Sequence, residues 1–122
     1  MITAIDHVVL TVRDIEKSLA FYARVLGLEA VTFGEGRRAL QVGRQKINLQ
    51  VLGQETRNFP GIGSGDLCLL TDAHPDEVAA RLKAEGVPVV EGPVSKTGAM
   101  GPIISVYFND LDGNLIEISS YQ

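Results

Sequence analysis

Apolar and polar residues alternate along the chain with two different periods, which separate predicted helices from predicted strands. Two stretches repeat apolar residues every three to four positions, the spacing of a helix with one buried face. The first, 14–28, begins at Asp14, a residue type that caps helix N-termini, and reaches Gly27, which suits a left-handed C-cap. The second, 74–86, has Pro75 in its first turn and a glycine at its end. Both are predicted to be helices.

The remaining apolar segments are short, rich in β-branched or aromatic residues, and bounded by Gly, Asp, Asn or Pro, as is typical of strands. Eight strands are predicted, at 7–12, 29–34, 37–42, 46–52, 66–71, 87–92, 104–109 and 114–120. Tight turns are predicted at 43–46 and 110–113. The longest irregular stretches, 53–65 and 92–102, are predicted to be loops.

The order of predicted elements repeats: strand, helix and three strands, then a linker and the same order again. His7 and Asp66 each begin a first strand, 59 positions apart, and the two helix-ending glycines have the same separation. Gln50 and Glu117 occupy the last strand of each half, each four residues beyond the end of a turn. The sequence therefore predicts an α+β fold built from two tandem βαβββ modules, at about 1–55 and about 64–122.

Polar side chains recur on one face of the predicted strands. Because side chains alternate between the faces of a strand, the apolar face must pack on the helices and the other face line a concave side. Four polar residues fall on that side: His7, Gln50, Asp66 and Glu117. Their nitrogen and oxygen atoms suit a divalent cation such as Zn²⁺, Ni²⁺, Co²⁺, Mn²⁺ or Fe²⁺. Separate structural roles remain open: a hydrogen-bonded histidine, a solvent-facing amide, a turn cap and a carboxylate paired with arginine.

Composition and charge narrow the classes of function. The 122 residues include 11 Lys and Arg and 15 Asp and Glu, a net charge of −4. No basic run is present, which argues against nucleic acid or an anionic membrane surface as a partner. The N-terminus has no basic flank before an apolar stretch, so we expect no signal peptide and a cytoplasmic protein. The single cysteine, Cys68, is expected to be a small buried hydrophobe.

Five further residues are candidates for contacts with a small-molecule substrate. Lys96 and Thr97 fall in a glycine-rich stretch, 95–102, which predicts a flexible loop that closes over a substrate. A solvated loop lysine is the alternative. Of Arg37 and Arg38, alternation sends at most one toward the cavity, and Arg38 is taken as the candidate. Tyr107 and Asn109 share a face of one strand, where they contact a ligand or simply pack.

The segments 5–29, 37–50 and 91–119 carry a family resemblance that covers nearly the whole chain. They resemble the vicinal oxygen chelate superfamily, which includes glyoxalase I, bleomycin and fosfomycin resistance proteins, methylmalonyl-CoA epimerase and extradiol dioxygenases. Within it, the chain looks most like small glyoxalase-domain-containing proteins related to lactoylglutathione lyase. The resemblance implies one glyoxalase-like domain, 1–122, with a curved mixed sheet around a cavity, helices on its outer face, and a homodimer.

The resemblance also implies a site and a chemistry. Carried over to this sequence, the metal ligands fall on His7, Gln50, Asp66 and Glu117, with Glu117 as both ligand and candidate base. Gln50 and Asp66 depart from the residues most members have there. The implied activity is that of a metal-dependent lyase or isomerase, in which the ion binds vicinal oxygens of a small substrate and stabilises an enediolate-like intermediate. A thiol cosubstrate such as glutathione is compatible with it.

A second hypothesis comes from a different class of protein. Bleomycin-resistance relatives sequester a ligand without a metal, and the four polar residues would then hydrogen-bond to a ligand or to one another. Such a cleft is expected to be lined by Val9, Phe33, Leu40 and Phe108. Thiol transfer and dioxygenation are the other chemistries that the resemblance leaves open.

Overall fold

Both halves of the chain fold in the same order of elements. The computed structural model describes all of residues 1–122, which divide into two compact units, Met1–Gly63 and Ser64–Gln122. Unit 1 contains β1 (His7–Thr11), α1 (Ile15–Leu26), β2 (Glu29–Phe33), β3 (Arg37–Val42) and β4 (Gln45–Gln50). Unit 2 contains β5 (Asp66–Leu70), α2 (Pro75–Ala84), β6 (Glu91–Gly98), β7 (Gly101–Asn109) and β8 (Leu115–Tyr121). The predicted α+β fold of two βαβββ modules is confirmed.

Each unit has one four-stranded mixed sheet. The strand order is β1-β4-β3-β2 in unit 1 and β5-β8-β7-β6 in unit 2. In both sheets the first strand of the unit runs parallel to the last, and the other neighbours are antiparallel. The crossover from first to last strand therefore brings the two ends of each module side by side, where polar side chains from both can meet.

The first helix forms where the sequence predicts it, because its ends are capped. The side chain of Asp14 accepts a 3.0 Å hydrogen bond from the backbone N–H of Lys17, which satisfies a donor that the first helical turn leaves unpaired. Gly27 ends the helix at φ 69°, a left-handed conformation that glycine adopts without a steric penalty. The buried face of α1 packs on β2 and β3.

The second helix is capped differently. Nδ1 of His74 accepts a 3.1 Å hydrogen bond from the backbone N–H of Asp76, and Pro75 occupies the first helical position. The imidazole thus takes the capping role that Asp14 has in unit 1. This helix packs on β6, β7 and β8 of its own unit. The helix-facing sides of the two sheets supply the cores, with Leu10, Leu40 and Ile47 in unit 1 and Val106, Phe108 and Ile116 in unit 2.

The sixth strand differs from its prediction. Residues 87–90 lie outside it, and the strand instead runs from Glu91 to Gly98 and pairs with β7, so most of the predicted loop 92–102 is a β-hairpin. The glycines and proline of this stretch indicated a loop. However, β6 is an edge strand, where a proline's missing N–H and a glycine are tolerated. Lys96 and Thr97 therefore lie in a strand and not in a flexible loop.

Neither helix is long and apolar enough to cross a membrane.

Candidate functional site

The sheet face of unit 1 that points away from α1 forms the floor of a cavity of about 420 Å³. Side chains from all four strands of the sheet line it, and the segment after β4 closes one side. The lining residues include His7, Val9, Phe33, Arg37, Asn48, Gln50, Gln54, Glu55, Arg57 and Asn58. Val9 and Phe33 occupy the cavity as the binding hypothesis expects. Leu40 and Phe108 do not belong to it, because both are fully buried in the helix-facing cores.

Two of the predicted metal ligands belong to this cavity, and each has one polar atom already bound. Nδ1 of His7 lies 2.7 Å from Oδ1 of Asp6, which leaves Nε2 for another partner. Nε2 of Gln50 donates a 2.9 Å hydrogen bond to Oγ1 of Thr11, which leaves Oε1 for another partner. Both arrangements fix the orientation of a side chain whose other atom is a possible ligand.

Asn48 is a polar residue in an apolar position of the floor. On the central strand β4 it lies between Val9 on one side and Ala39 on the other, and neither has a side chain that can hydrogen-bond to it. The residue is only 4% exposed, and its Oδ1 has no hydrogen-bond partner. A buried amide oxygen without a partner costs roughly 1–3 kcal/mol, so this position favours contact with a bound group.

The strand register changes the equivalence between the two modules that the sequence suggested. His7 and Asp66 begin corresponding strands, and two residues further on Val9 pairs with Asn48 while Cys68 pairs with Glu117. Asn48, and not Gln50, is therefore the counterpart of Glu117. Gln50 corresponds to Ser119 at the next pair along. The predicted register was wrong by two residues, which the alternation of faces alone does not reveal.

The same register determines which side chains of unit 1 can share a ligand. Gln50 is paired four positions beyond His7 along neighbouring parallel strands, a separation of about 13 Å at the usual strand rise. Asn48 is paired only two positions beyond His7, or about 7 Å along the strands. Asn48 is thus the amide better placed to act together with His7.

In unit 2, Glu117 is the centre of a polar cluster on the sheet face opposite α2. Its Oε2 accepts a 2.5 Å hydrogen bond from the hydroxyl of Ser105 and a 3.1 Å bond from the hydroxyl of Ser119. The two hydroxyls also lie 2.7 Å apart, and both serines are fully buried. The carboxylate is therefore held through one oxygen, and neither serine hydroxyl contacts Oε1.

Two titratable groups beside Glu117 are held in their neutral forms. Tyr107 is its register partner on β7, and burial, followed by the Glu117 carboxylate, raises the pKa of Tyr107 to about 12. Burial is also the main cause that raises the pKa of the Cys68 thiol. Cys68 was expected to be buried. Cys68 is instead exposed, because its side chain lies on the polar face of the sheet. On that face its thiol donates a 3.2 Å hydrogen bond to Oγ of Ser119.

The predicted metal ligands are divided between the two units. Asp66 lies at the exposed start of β5, on the same face as Glu117 and paired with Leu115. No group of three or more His, Cys, Asp and Glu side chains in the structure is arranged to hold a metal ion. His7 and Gln50 belong to unit 1, and Asp66 and Glu117 belong to unit 2.

The candidate substrate contacts are distributed over both sides of the sheets. Arg38 faces α1, where its guanidinium lies 3.3 Å from Glu16 and donates 2.8 Å to Thr32, while Arg37 lines the cavity. Lys96 lies on the Glu117 face, with Nζ 3.3 Å from Glu91.

The other two candidates point elsewhere. Thr97, one residue beyond Lys96 on the same strand, alternates to the opposite face, which carries α2. Asn109 lies at the end of β7, where its Nδ2 is 3.5 Å from the carbonyl oxygen of Gly113 across the turn. Of the five candidates, only Tyr107 and Lys96 lie close to Glu117 and its neighbours.

Some charged side chains at the unit 1 cavity form an ion pair, whereas others contact only an aromatic ring. Glu55 accepts from the guanidinium of Arg57 through both carboxylate oxygens, and chiefly these bonds lower the pKa of Glu55 to about 2. Arg37 instead lays its guanidinium on the ring of Phe33, with Cζ 4.7 Å from the ring centroid. Nζ of Lys46 lies 3.0 Å from the same centroid. Two cations therefore share one aromatic ring at the cavity.

Three residues of these sites, Asn48, Ser105 and Ser119, were missed from the sequence, and Arg37 was considered but Arg38 was taken in its place. A signal existed for Asn48, since it shares the polar face of strand 46–52 with Gln50, two residues away. For the serines, only the pairing of β7 with β8 brings them to Glu117, and that register cannot be read from periodicity.

Comparison with known proteins places this geometry in context. The family model described as the Glyoxalase/Bleomycin resistance protein/Dioxygenase superfamily matches residues 4–118. The chain is 47% identical over 124 residues to the glyoxalase domain-containing protein RDO1 of Mycosarcoma maydis, covering 99% of this chain and 70% of that protein. It is 48% identical over 127 residues to the virulence protein STM3117 of Salmonella typhimurium, covering 99% of this chain and 86% of that protein.

Solved structures agree with these matches. The crystal structure of STM3117 superposes with a TM-score of 0.94 at 47% identity, covering 100% of this chain and 99% of that one. A lactoylglutathione lyase from Agrobacterium tumefaciens superposes with a TM-score of 0.78 at 28% identity, covering 98% and 95% of the two chains.

Proposed function

Because the chain belongs to the glyoxalase/bleomycin resistance protein/dioxygenase superfamily, we propose that it is a cytoplasmic, metal-dependent lyase or isomerase of the glyoxalase type. Its substrate is a small compound with oxygens on neighbouring carbons. The proposed ligands of the ion are His7, Asp66 and Glu117, together with one amide from β4. The ion is one of Ni²⁺, Zn²⁺, Co²⁺, Mn²⁺ and Fe²⁺, which accept this mixture of nitrogen and oxygen donors.

One observation carries the proposal: neighbouring groups hold one atom of each of two candidate ligands, His7 and Glu117, in a fixed position. Asp6 binds Nδ1 of His7, and the two serines bind Oε2 of Glu117. Metal-binding histidines and carboxylates are usually oriented by such hydrogen bonds from residues behind them.

The sequence proposes Gln50 as the fourth ligand, and the strand register favours Asn48 in its place. Asn48 is the counterpart of Glu117 and is paired only two positions from His7, whereas Gln50 is four positions away. The unpartnered Oδ1 of Asn48 is an oxygen donor without a competing hydrogen bond. Gln50 retains a supporting role on the same floor through its bond to Thr11.

The chemistry divides between the ion and the side chains. A bound divalent cation supplies Lewis acidity to substrate oxygens. Oε1 of Glu117 is the candidate base that removes a proton from the carbon beside a carbonyl and returns it to the neighbouring carbon. Ser105 and Ser119 hold the carboxylate through its other oxygen, so the base keeps one orientation during the transfer. Tyr107, neutral up to high pH, adds a hydroxyl donor beside it.

Metal content is the first test. We expect the untagged protein, purified without chelators, to contain close to one equivalent of one of these five metals, and His7→Ala and Glu117→Ala to lose it. Asn48→Leu and Gln50→Leu form a matched pair, of which we expect only the first to lower metal affinity strongly. No metal in the purified protein, and no increase in thermal stability with any of the five ions, would overturn the proposal.

Reaction chemistry is tested with lactoylglutathione, the thioester that lactate forms with the thiol of glutathione. We expect the metal-loaded protein to exchange the proton on the carbon beside the thioester carbonyl for deuterium in deuterium oxide. Glu117→Gln should stop the exchange. Exchange at the wild-type rate in Glu117→Gln would contradict the role of this carboxylate as the base.

We further propose that the active form is a homodimer, as the family resemblance implies. His7→Ala and Glu117→Ala chains, mixed after separate purification and reversible unfolding, distinguish two arrangements of the ligands. If one chain supplies His7 and its partner Glu117, mixed dimers regain one intact metal site. If a single chain supplies both, mixing restores none.

Metal-free binding of a small molecule is the second candidate function. It is favoured by the absence of any group of three or more His, Cys, Asp and Glu arranged for a metal, and by the 420 Å³ cavity with its aromatic and polar lining. A protein that binds no metal but is stabilised by a small ligand would belong to this class.

A further inference from the structure

The cationic side of the unit 1 cavity is not explained by the proposed chemistry. Arg37 and Lys46 both approach the ring of Phe33, with cationic atoms 4.7 and 3.0 Å from its centroid. Since both atoms lie over one ring, they are no more than about 8 Å apart, and their charges repel each other at that distance. Arg37 is exposed and Lys46 is half-buried, so water screens part of this repulsion, and a bound anion would neutralise the rest.

The Glu55 carboxylate of the same cavity is already paired with Arg57. Glu55, which lines the same cavity, is bound through both oxygens by Arg57 and stays ionised down to very low pH, since its pKa is about 2. Arg37 contributes the smallest of the charge effects that lower the pKa of Glu55, and neither Arg37 nor Lys46 forms an ion pair with a carboxylate. The ring of Phe33 supplies only a cation–π contact, worth about 0.5–2 kcal/mol for each cation.

We propose that Arg37 and Lys46 form a binding site for an oxyanion of the substrate, a carboxylate or a phosphate. One oxygen of such a group pairs with the guanidinium and another with the ammonium, through charge-assisted hydrogen bonds of about 2.8 Å. The substrate is therefore an organic anion.

The floor of the cavity indicates how that anion lies. Arg37 is two residues from Ala39, the register partner of Asn48, so Arg37 and Asn48 are diagonal neighbours on one face, about 7–8 Å apart at Cα. Val9 and Phe33 offer apolar surface beside them. An anion held by Arg37 thus extends its carbon skeleton over apolar surface toward Asn48 and His7. This orientation rests on the proposed function, in which His7 and Asn48 bind the metal ion that contacts the reacting oxygens of the substrate.

The test uses protein stripped of metal, so that its outcome does not depend on the proposed metal site. Benzoate, its uncharged isostere benzamide, and inorganic phosphate are titrated into ¹⁵N-labelled protein at constant ionic strength, and amide chemical shifts are followed by NMR. We expect saturable shifts at the cavity residues with benzoate, and at least tenfold weaker binding of benzamide. Competition by phosphate would show that the site also accepts a phosphate group, whereas benzoate binding without competition would limit it to carboxylates.

Variants locate the effect. Arg37→Gln and Lys46→Gln should each weaken benzoate binding at least tenfold, while Arg44→Gln, a matched control in the exposed β3–β4 turn, should leave it unchanged. Thermal unfolding checks that each variant is folded. Equal binding of benzamide and benzoate, or an equal loss in Arg44→Gln, would overturn the anion site. Benzoate binding in a protein that never binds a metal would support this inference and refute only the metal proposal.

Discussion

The hydroxyl of Ser105 donates a 2.5 Å hydrogen bond to Oε2 of Glu117 from the neighbouring strand of the same sheet. Ser105 is fully buried, so its hydroxyl has no access to water and depends on this carboxylate and on Ser119 for partners. The carboxylate is correspondingly fixed by two buried hydroxyls on its own face of the sheet, the face opposite α2. Polar groups in the sheet of unit 2 thus act as one hydrogen-bonded unit that orients Glu117.

Ser105→Ala tests this support. The change removes one of the two hydroxyls at Oε2 and leaves Oε1 untouched, so we expect metal affinity to fall about 10- to 100-fold with the fold retained. Ser120→Ala is the matched control, because Ser120 points to the other face of β8 and its hydroxyl has no partner. Metal titration by calorimetry measures both. Equal affinities in the two variants would contradict an orienting role for Ser105.

Thr11→Val tests the pairing of β1 with β4 at the cavity floor. The substitution keeps the shape of the side chain but leaves Nε2 of Gln50, a buried residue, without its acceptor. We expect a loss of about 1–3 kcal/mol in the free energy of unfolding, measured by urea denaturation. The double variant with Gln50→Leu should lose less than the sum of the single variants, because no unpartnered amide then remains. A loss below about 0.5 kcal/mol in Thr11→Val would be inconsistent with this bond.

How much of this site was predictable differs between its parts. The faces of the strands follow from alternation, so His7 and Glu117 were placed correctly on the polar sides of their sheets. Register was not predictable, because a strand can slide by two residues without changing which side chains are buried. Asn48 was therefore overlooked in favour of Gln50 until the pairing with Val9 was known.

The fold was predictable to a greater extent than the site. Caps such as Asp14 and Gly27 act locally and fix the first helix from sequence alone. The hairpin of β6 and β7 depends instead on the pairing of two strands. Its glycine and proline residues are typical of loops, so the sequence predicted a loop there. Arg38 was taken in place of Arg37 because alternation indicates only that at most one of them faces the cavity, and the structure shows that Arg38 is the one bound to Glu16 of α1.

The raised pKa of Tyr107 predicts a loss of stability at alkaline pH. Burial and the Glu117 carboxylate raise this pKa from 10.0 to about 12, so between these values the unfolded chain releases the proton while the folded protein retains it. The stabilising contribution is complete below pH 10 and is lost as pH rises toward 12. We expect the free energy of unfolding to fall less over this window in Tyr107→Phe. An equal fall in both proteins would mean that Tyr107 is not responsible.

Gly92 approaches the strand that carries Ser105, and its substitution tests how tightly β6 is packed on β7. A Cβ at this position would overlap the carbonyl oxygen of Ser105, and the backbone has φ 107°, which disfavours other residues. Gly101 provides the control, since it also has positive φ, 134°, but open space around its Cα. We expect Gly101→Ala to cost about 1–3 kcal/mol from backbone strain alone.

Gly92→Ala should cost more than Gly101→Ala, because relief of the overlap requires β6 to move away from β7. That movement also displaces Ser105, so we expect the bond to Glu117 to weaken and metal affinity to fall together with stability. Urea denaturation and metal titration of the two variants separate these effects. Equal unfolding free energies would show that the edge strand adjusts freely and does not hold the Glu117 cluster in place.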